Sequence, residues 1–424
     1  MTALPPVPVY RAQPIRIACV QFDPKLGKGV ENAAKVESMT ARLQPGMLDL
    51  LVLPEMALSG YMFTTPSAIQ PHLEHPTTGL TATLAKKLAA RLRCHVVAGY
   101  PEAFSDDEPV VPPRASASTS TADDTPIVTA PPADPPVFAE INGTGTGTGT
   151  DPSLPPAPPA NGSHANGTHL LPPPPSFPPK RPNGPSHPLT AAQVGYNSAL
   201  IASPAGEVVG NYRKTFLFET DKNWAREGSG FMHWDLPAPL GRVAIGICMD
   251  LNPEDFISPW NAYELATYCA TNAVDMLVVP MNWLDPREQD SDSDSDSDSD
   301  TDTHSDTGSD GERVPPRDPN APSINNLNYW AARLAPLHDP APTYAAAAPP
   351  GYDGAGAGAG AGAPSASAPP KEVVFVSCNR AGTEGGTLFA GSSCVMTMRS
   401  EPKAVELVEV CTRSEERVML AIVT

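Results

Sequence analysis

The sequence predicts an α/β layered domain with long disordered insertions, on three observations. Short apolar, β-rich runs alternate with segments whose apolar residues recur at helical spacing. Several runs are apolar without interruption, as in strands covered on both faces of a sheet. Finally, 53 prolines and 32 glycines among 424 residues gather in tracts that cannot build a core, with 22 of the prolines between Phe104 and Ala191.

The opening reads β-α-β: a strand from Ile15 to Phe22, a helix from Val30 to Leu43 and a strand from Asp49 to Glu55. A helix from Leu80 to Arg93, with Leu80, Leu84, Leu88 and Leu92 on one face, leads to a strand from His95 to Tyr100. Tyr196 to Ser203 and Val208 to Tyr212 flank Pro204-Ala205-Gly206, a turn signature, and form a hairpin. A strand from Gly241 to Cys248, a helix from Trp260 to Asn272 and a strand from Asp275 to Pro280 continue the alternation. The end of the chain reads as a helix from Ser323 to Leu334, strands from Val373 to Asn379 and Thr387 to Met398, and further β-structure at Val405 to Val410 and Val418 to Val423.

Three tracts fall between these elements: Pro/Ser/Thr/Gly-rich residues 105–191, Ser-Asp-rich residues 286–322, and Ala/Gly/Pro-rich residues 339–370. Loop closure entropy grows only logarithmically with length, so such positions tolerate long insertions. Proline cannot make sheet ladders and the Ser-Asp run repels itself, so disorder is expected in both. Without the tracts roughly 270 residues remain, enough for one large domain. That domain would span residues 14–424, behind a tail of residues 1–13.

The formal net charge is −19, but Asp290 to Glu312 holds nine Asp, one Glu and no Lys or Arg, which accounts for −10. The remainder offers no basic stripe, which argues against nucleic acid and anionic membrane as partners. The chain has no 18-residue apolar stretch, and Met1 to Gln13 lacks the charged start and apolar core of a signal peptide. It reads as intracellular, with cytoplasm and nucleus both open. Seven cysteines without CxxC spacing indicate neither a disulfide framework nor a zinc site. The sequons at Asn142, Asn161 and Asn166 read as accidents of a Gly/Thr/Asn-rich tract.

The segment Gly246-Ile247-Cys248-Met249-Asp250 carries the clearest chemical signal. An apolar strand ends at a cysteine and turns toward a helix, which exposes the sulfur beside converging backbone N–H groups. A thiol needs a base, and Glu55, directly after the strand in Leu53-Pro54-Glu55, is placed for desolvation to raise its pKa. Lys214, in Tyr212-Arg213-Lys214-Thr215-Phe216, closes a hairpin strand among apolar residues, where a cation can stabilise an oxyanion. Taken singly, each of the three has an ordinary structural reading. No GxSxG, HExxH or GxxxxGK[ST] segment competes with them.

In this order the three segments resemble the carbon-nitrogen hydrolase (nitrilase) superfamily, as do Ile17-Ala18-Cys19-Val20-Gln21-Phe22, Tyr196-Asn197-Ser198-Ala199 and Val279-Pro280-Met281-Asn282-Trp283. The resemblance implies an αββα four-layer sandwich, with Cys248 as nucleophile and Glu55 as base and then acid. It also implies Lys214 as oxyanion donor beside the Met249 backbone N–H, and no cofactor or metal. Many members add a second glutamate after the lysine, and Glu227 fits better than Glu219 by its separation from Lys214.

Tyr212 to Leu217 and Cys248 to Pro253 look most like a fungal branch that removes ammonia from the side-chain amide of an N-terminal Asn or Gln. The resulting Asp or Glu feeds the N-degron pathway. Other branches place an arginine shortly after the nucleophile to hold a substrate carboxylate; here Asn252 and Pro253 follow. The expected partners are proteins or peptides with a free N-terminal Asn or Gln, and family members commonly form homo-oligomers. Asp250, Glu254 and Asp285 are candidates to bind the α-ammonium, with Asn252 nearby and Trp283 as a pocket wall. The competing readings are an amidase for small amides or N-carbamoyl compounds, and a non-catalytic interaction scaffold.

Overall fold

The computed structural model describes residues 11–104, 193–285, 318–339 and 372–424. The three insertion tracts lie outside these residues except at their edges, as do the sequons and most of the tail. In chain order the first half forms β1 (Ile15–Gln21), α1 (Gly29–Met39), β2 (Leu50–Val52), α2 (Pro66–Ile69), α3 (Leu80–Leu92), β3 (His95–Ala103), β4 (Gly195–Ala202) and β5 (Val208–Arg213). The second half begins with β6 (Met232–Leu236), β7 (Gly241–Ile245), α4 (Glu264–Thr271), β8 (Met276–Met281), α5 (Ile324–Arg333) and α6 (Ala335–His338). It ends with β9 (Glu372–Asn379), β10 (Thr383–Glu384), β11 (Thr387–Leu388), β12 (Cys394–Ser400), β13 (Lys403–Val410) and β14 (Arg417–Val423).

Two six-stranded sheets follow one plan. Their orders are β14-β1-β2-β3-β4-β5 and β13-β12-β9-β8-β7-β6. In each, three central strands are parallel and their flanks antiparallel. Parallel neighbours need crossover connections, which α1 and α3 supply in the first sheet and α4 and α5 in the second. Val36, Leu84, Leu88 and Leu92 pack on Ala18, Val20, Leu51, Val96 and Ala98, closing one outer layer. On the other side α6 packs against β12 and α4 against α6. Between the sheets the Cys378 sulfur of β9 reaches the Val52 carbonyl of β2 at 3.2 Å. The layers therefore run αββα, and the central strands β8 and β9 are buried along their whole length because both of their faces are covered.

Departures from the expected elements have local causes. The strand expected from Asp49 to Glu55 spans only Leu50–Val52, because Pro54 lacks the N–H that would continue the ladder. The helix expected from Trp260 starts at Glu264, after Tyr263 takes the left-handed conformation at φ 43°. Thr387 to Met398 divides into β11 and β12 around Gly391 and Ser392, at φ 53° and 59°. Met232–Leu236, which carries no clear alternation in sequence, pairs with β7. At the end of the Ser-Asp tract, residues 318–322 belong to the packed structure: the Arg413 guanidinium donates to the Ala321 and Pro322 carbonyls at 3.1 and 3.0 Å. Among the described residues, no helix is long and apolar enough to cross a membrane.

Candidate active site

The site is assembled where strands of both sheets end. Beyond β2, Leu53 and Pro54 lead to Glu55, which is fully buried. Gly99 of β3 passes so close to this turn that a Cβ there would lie 2.5 Å from the Glu55 Cα. Backbone bonds from Gly99 N–H to the Pro54 carbonyl (3.2 Å) and from Ala57 N–H to the Gly99 carbonyl (3.0 Å) fix the turn.

Lys214 follows β5, its N–H bonded to the Asn197 carbonyl of β4 at 2.8 Å. Its ammonium is fully buried and donates to Glu55 Oε1 at 2.7 Å and Asp221 Oδ2 at 2.6 Å. Asn197 Nδ2 spans the same two carboxylates, 2.7 Å from Glu55 Oε1 and 2.9 Å from Asp221 Oδ1. Met56, Tyr61, Leu217, Trp224 and Phe389 form an apolar cluster around these charges, with the Tyr61 ring 5.9 Å from the ammonium.

Cys248 opens a short 3₁₀ turn after β7 at φ 42°, a left-handed conformation that costs a non-glycine residue energy and is found at functional sites. The turn is held by Asp250. Its Oδ1 accepts from the Thr215 and Phe216 N–H groups at 3.1 and 2.7 Å, and its Oδ2 from Ile247 N–H and the Tyr212 hydroxyl, both at 2.8 Å. One carboxylate thereby locks the cysteine turn to the residues just beyond Lys214. From the end of β8, the Asn282 N–H donates to Glu55 Oε2 at 2.7 Å.

Burial pushes the Glu55 carboxyl above its ordinary range, against the pull of Lys214 and with the support of Asp221. Burial and the Glu55 charge push the Cys248 thiol well up, opposed by Lys214 and the Asn282 N–H. For Lys214 burial acts downward, but Asp221 and Glu55 outweigh it and hold the side chain as a cation. The resting site therefore holds a neutral thiol, a carboxylate of raised basicity and a fixed ammonium. A carboxylate of raised basicity can take the thiol proton, and the ammonium can stabilise negative charge on a substrate oxygen.

The structure brings Glu55, Lys214 and Cys248 together. It does not bring Glu227 to them. Glu227 is exposed, as is Glu219, and the second carboxylate on Lys214 is Asp221, seven residues after the lysine. Asp221 reaches the ammonium because the short 3₁₀ turn Asp221–Asn223 folds back, its carboxylate also accepting from the Phe218 N–H at 3.0 Å. The sequence signal was available in that spacing, but a search for glutamate passes over an aspartate.

Of the other nominated residues, Met249 is buried beside Cys248. Asp250 spends its four acceptor positions on the turn and has none to offer a substrate ammonium. Asn252 accepts from the Tyr329 hydroxyl at 2.6 Å, so it braces the loop after the cysteine. Glu254 is exposed. Asp285 is buried with the Arg413 guanidinium 3.7 Å away. Trp283 packs with ring centroids 5.7 Å from both Tyr329 and Trp330. Arg333, one turn beyond Tyr329 on α5, completes this support by donating to the Leu251 carbonyl (2.9 Å), the Trp260 carbonyl and Glu264 (3.0 Å). Neither Tyr329 nor Arg333 carries a motif signal; their roles arise only from the packing of α5.

Residues 16–114 match the carbon-nitrogen hydrolase family. A protein N-terminal amidase of Schizosaccharomyces pombe is 26% identical over 395 residues, covering 92% of this chain and 93% of that protein. Two solved structures share the fold. One is an N-terminal amidase with a Gln-Gly peptide (TM-score 0.60, 20% identity, 97% of this chain and 99% of that one). The other is an N-terminal amidase with an Asn-Glu-Ala peptide (TM-score 0.59, 19% identity, the same coverage). The fold is thus the nitrilase-like sandwich, and the carbon-nitrogen hydrolase match of residues 16–114 together with the amidase similarity supports an enzyme acting on carbon-nitrogen bonds other than peptide bonds. Within that class, its near-full-length similarity is to a protein N-terminal amidase.

Proposed function

We propose that this chain hydrolyses the side-chain amide of an N-terminal Asn or Gln in proteins and peptides, releasing ammonia, in the cytoplasm or nucleus. The observation that carries the chemistry is the buried Lys214 ammonium bridging Glu55 and Asp221 beside Cys248. Glu55 takes the thiol proton as the sulfur attacks the amide carbon. The resulting oxyanion is stabilised by Lys214 and the Met249 N–H. Collapse expels ammonia, protonated by Glu55, and leaves a thioester on Cys248. Glu55 then activates a water that hydrolyses the thioester, and the thiol regains its proton. The new carboxylate is repelled by Glu55 and leaves.

The substrate assignment draws on the N-terminal amidase similarity and on the loop after the nucleophile. Where a substrate carboxylate would need a cation, this chain has Asn252 bonded to Tyr329, while the nearby Arg333 is engaged with Leu251, Trp260 and Glu264. That arrangement suits a substrate continuing as peptide. Asn and Gln differ by one methylene, which a pocket discriminates by about 1–3 kcal/mol, so both are substrates. Ammonia release from peptides beginning with Asn or Gln, compared with their N-acetylated forms, free glutamine and an N-carbamoyl amino acid, tests the proposal. Turnover confined to the free-amine peptides supports it; preference for the small compounds overturns the substrate assignment.

A further inference from the structure

A peptide amidase that ignores blocked N-termini must grip the α-ammonium, and the carboxylates nominated for that task are otherwise placed. Asp250 is saturated by four donors, Glu254 is exposed, and Asp285 lies against Arg413. Glu55 and Asp221 are occupied by Lys214, Asn197 and backbone N–H groups.

Among the described residues around the reacting atoms, Asn282 is the amide whose two polar atoms are both uncommitted. Asn282 directly follows β8, and its backbone N–H donates to Glu55 Oε2 while drawing the Cys248 thiol pKa down. Its side chain is 2% exposed, yet neither Oδ1 nor Nδ2 has a hydrogen-bond partner among the described residues. Leaving a buried polar group unmet costs about 1–3 kcal/mol, so a complementary ligand has a large advantage there. The neighbouring Asn197 differs, since its Nδ2 is already spent on the two carboxylates.

Resting on the proposed amidase activity, we propose that Asn282 reads the free amino terminus of the substrate. Its Oδ1 accepts from the α-ammonium and its Nδ2 donates to the first peptide carbonyl. Ammonium and carbonyl hang from the same α-carbon, so together they offer a donor and an acceptor to one planar amide. In Asn that α-carbon is two bonds from the reacting carbonyl carbon, and in Gln three. The group that grips it must therefore lie within one side chain of Cys248, as Asn282 does.

The test compares kcat/KM on an Asn-initiated peptide with that on the same peptide lacking the α-amine, its first residue a succinamoyl group. The wild type prefers the free amine. Asn282→Ala should lose about 10- to 100-fold more on the amine peptide than on the des-amino peptide, the range of one hydrogen bond to a charged group, because the des-amino peptide loses only the carbonyl contact. Asn282→Asp keeps an acceptor and should keep the preference. Each preference is a ratio within one preparation, so partial misfolding does not distort it. Equal losses on both peptides in Asn282→Ala, or loss of the preference in Asn282→Asp, would overturn the assignment while leaving the amidase reading intact. A wild type silent on both peptides would overturn the amidase reading itself, and this inference with it.

Discussion

Lys214 Nζ lies 2.6 Å from Asp221 Oδ2, no farther than its contact with Glu55, and all three side chains are out of solvent. The lysine is thus held by two carboxylates on different elements and has little freedom to swing away. Asp221→Ala removes one anchor and should destabilise the fold by about 3–5 kcal/mol, as expected when one partner of a buried ion pair is deleted. The same change should lower kcat/KM by about 100-fold. Glu227→Gln should change the rate by less than about twofold, because Glu227 stands on the surface. Urea titrations and steady-state rates on both variants check this; a large loss from Glu227→Gln with none from Asp221→Ala would reverse the two roles.

Glu55 and Cys248 set the pH response. With the Glu55 carboxyl raised above its ordinary value of 4.5, the acid limb of kcat/KM should titrate above 4.5, and Lys214 should contribute no limb near neutrality. An acid limb at or below 4.5 would contradict the desolvated environment.

Asp250 makes a separate prediction about stability. Burial pushes its carboxyl up to about 6 from an ordinary 3.8. The folded protein therefore binds this proton more tightly than the unfolded chain does. The resulting stabilisation is fully present below 3.8 and is lost as pH rises through about 6, amounting to about 3 kcal/mol. Denaturant melts from pH 4 to 7 should show that slope in the wild type and its removal in Asp250→Asn. An identical slope in both would mean that another group titrates there.

At Gly99 the prediction is steric. A Cβ 2.5 Å from the Glu55 Cα meets backbone that cannot step aside without moving Glu55. Gly99→Ala should cost about 1–3 kcal/mol and at least about tenfold in rate, read from a thermal melt and steady-state kinetics. Full activity would show that the Glu55 turn can shift freely.

Much of the fold was legible because its signals are local. The continuous apolar run of β8, the largely apolar runs of β1 and β9 and the leucine face of α3 are dictated by burial on known sides. The layer order was not readable from periodicity and came from the resemblance. At the site, Glu55, Lys214 and Cys248 stand out because each lies just past a strand and next to apolar residues. Asp221, Asn282, Tyr329 and Arg333 do not, because their contacts join segments between 7 and 227 residues apart. Asp250 could be seen but not interpreted. Its four donors come from three separate residues of the Lys214 strand end and one of its own turn, a geometry that exists only once both sheets are in place.

The central claim is that Cys248 carries the acyl group during turnover. The most direct measurement is intact mass after acid quenching of the enzyme in mid-reaction with an Asn-initiated peptide, alongside Cys248→Ala. The account predicts a transient adduct equal to the peptide less ammonia, mapped to Cys248 in the wild type and absent from a folded, inactive Cys248→Ala protein. Turnover by Cys248→Ala, or an adduct on another residue, would contradict it.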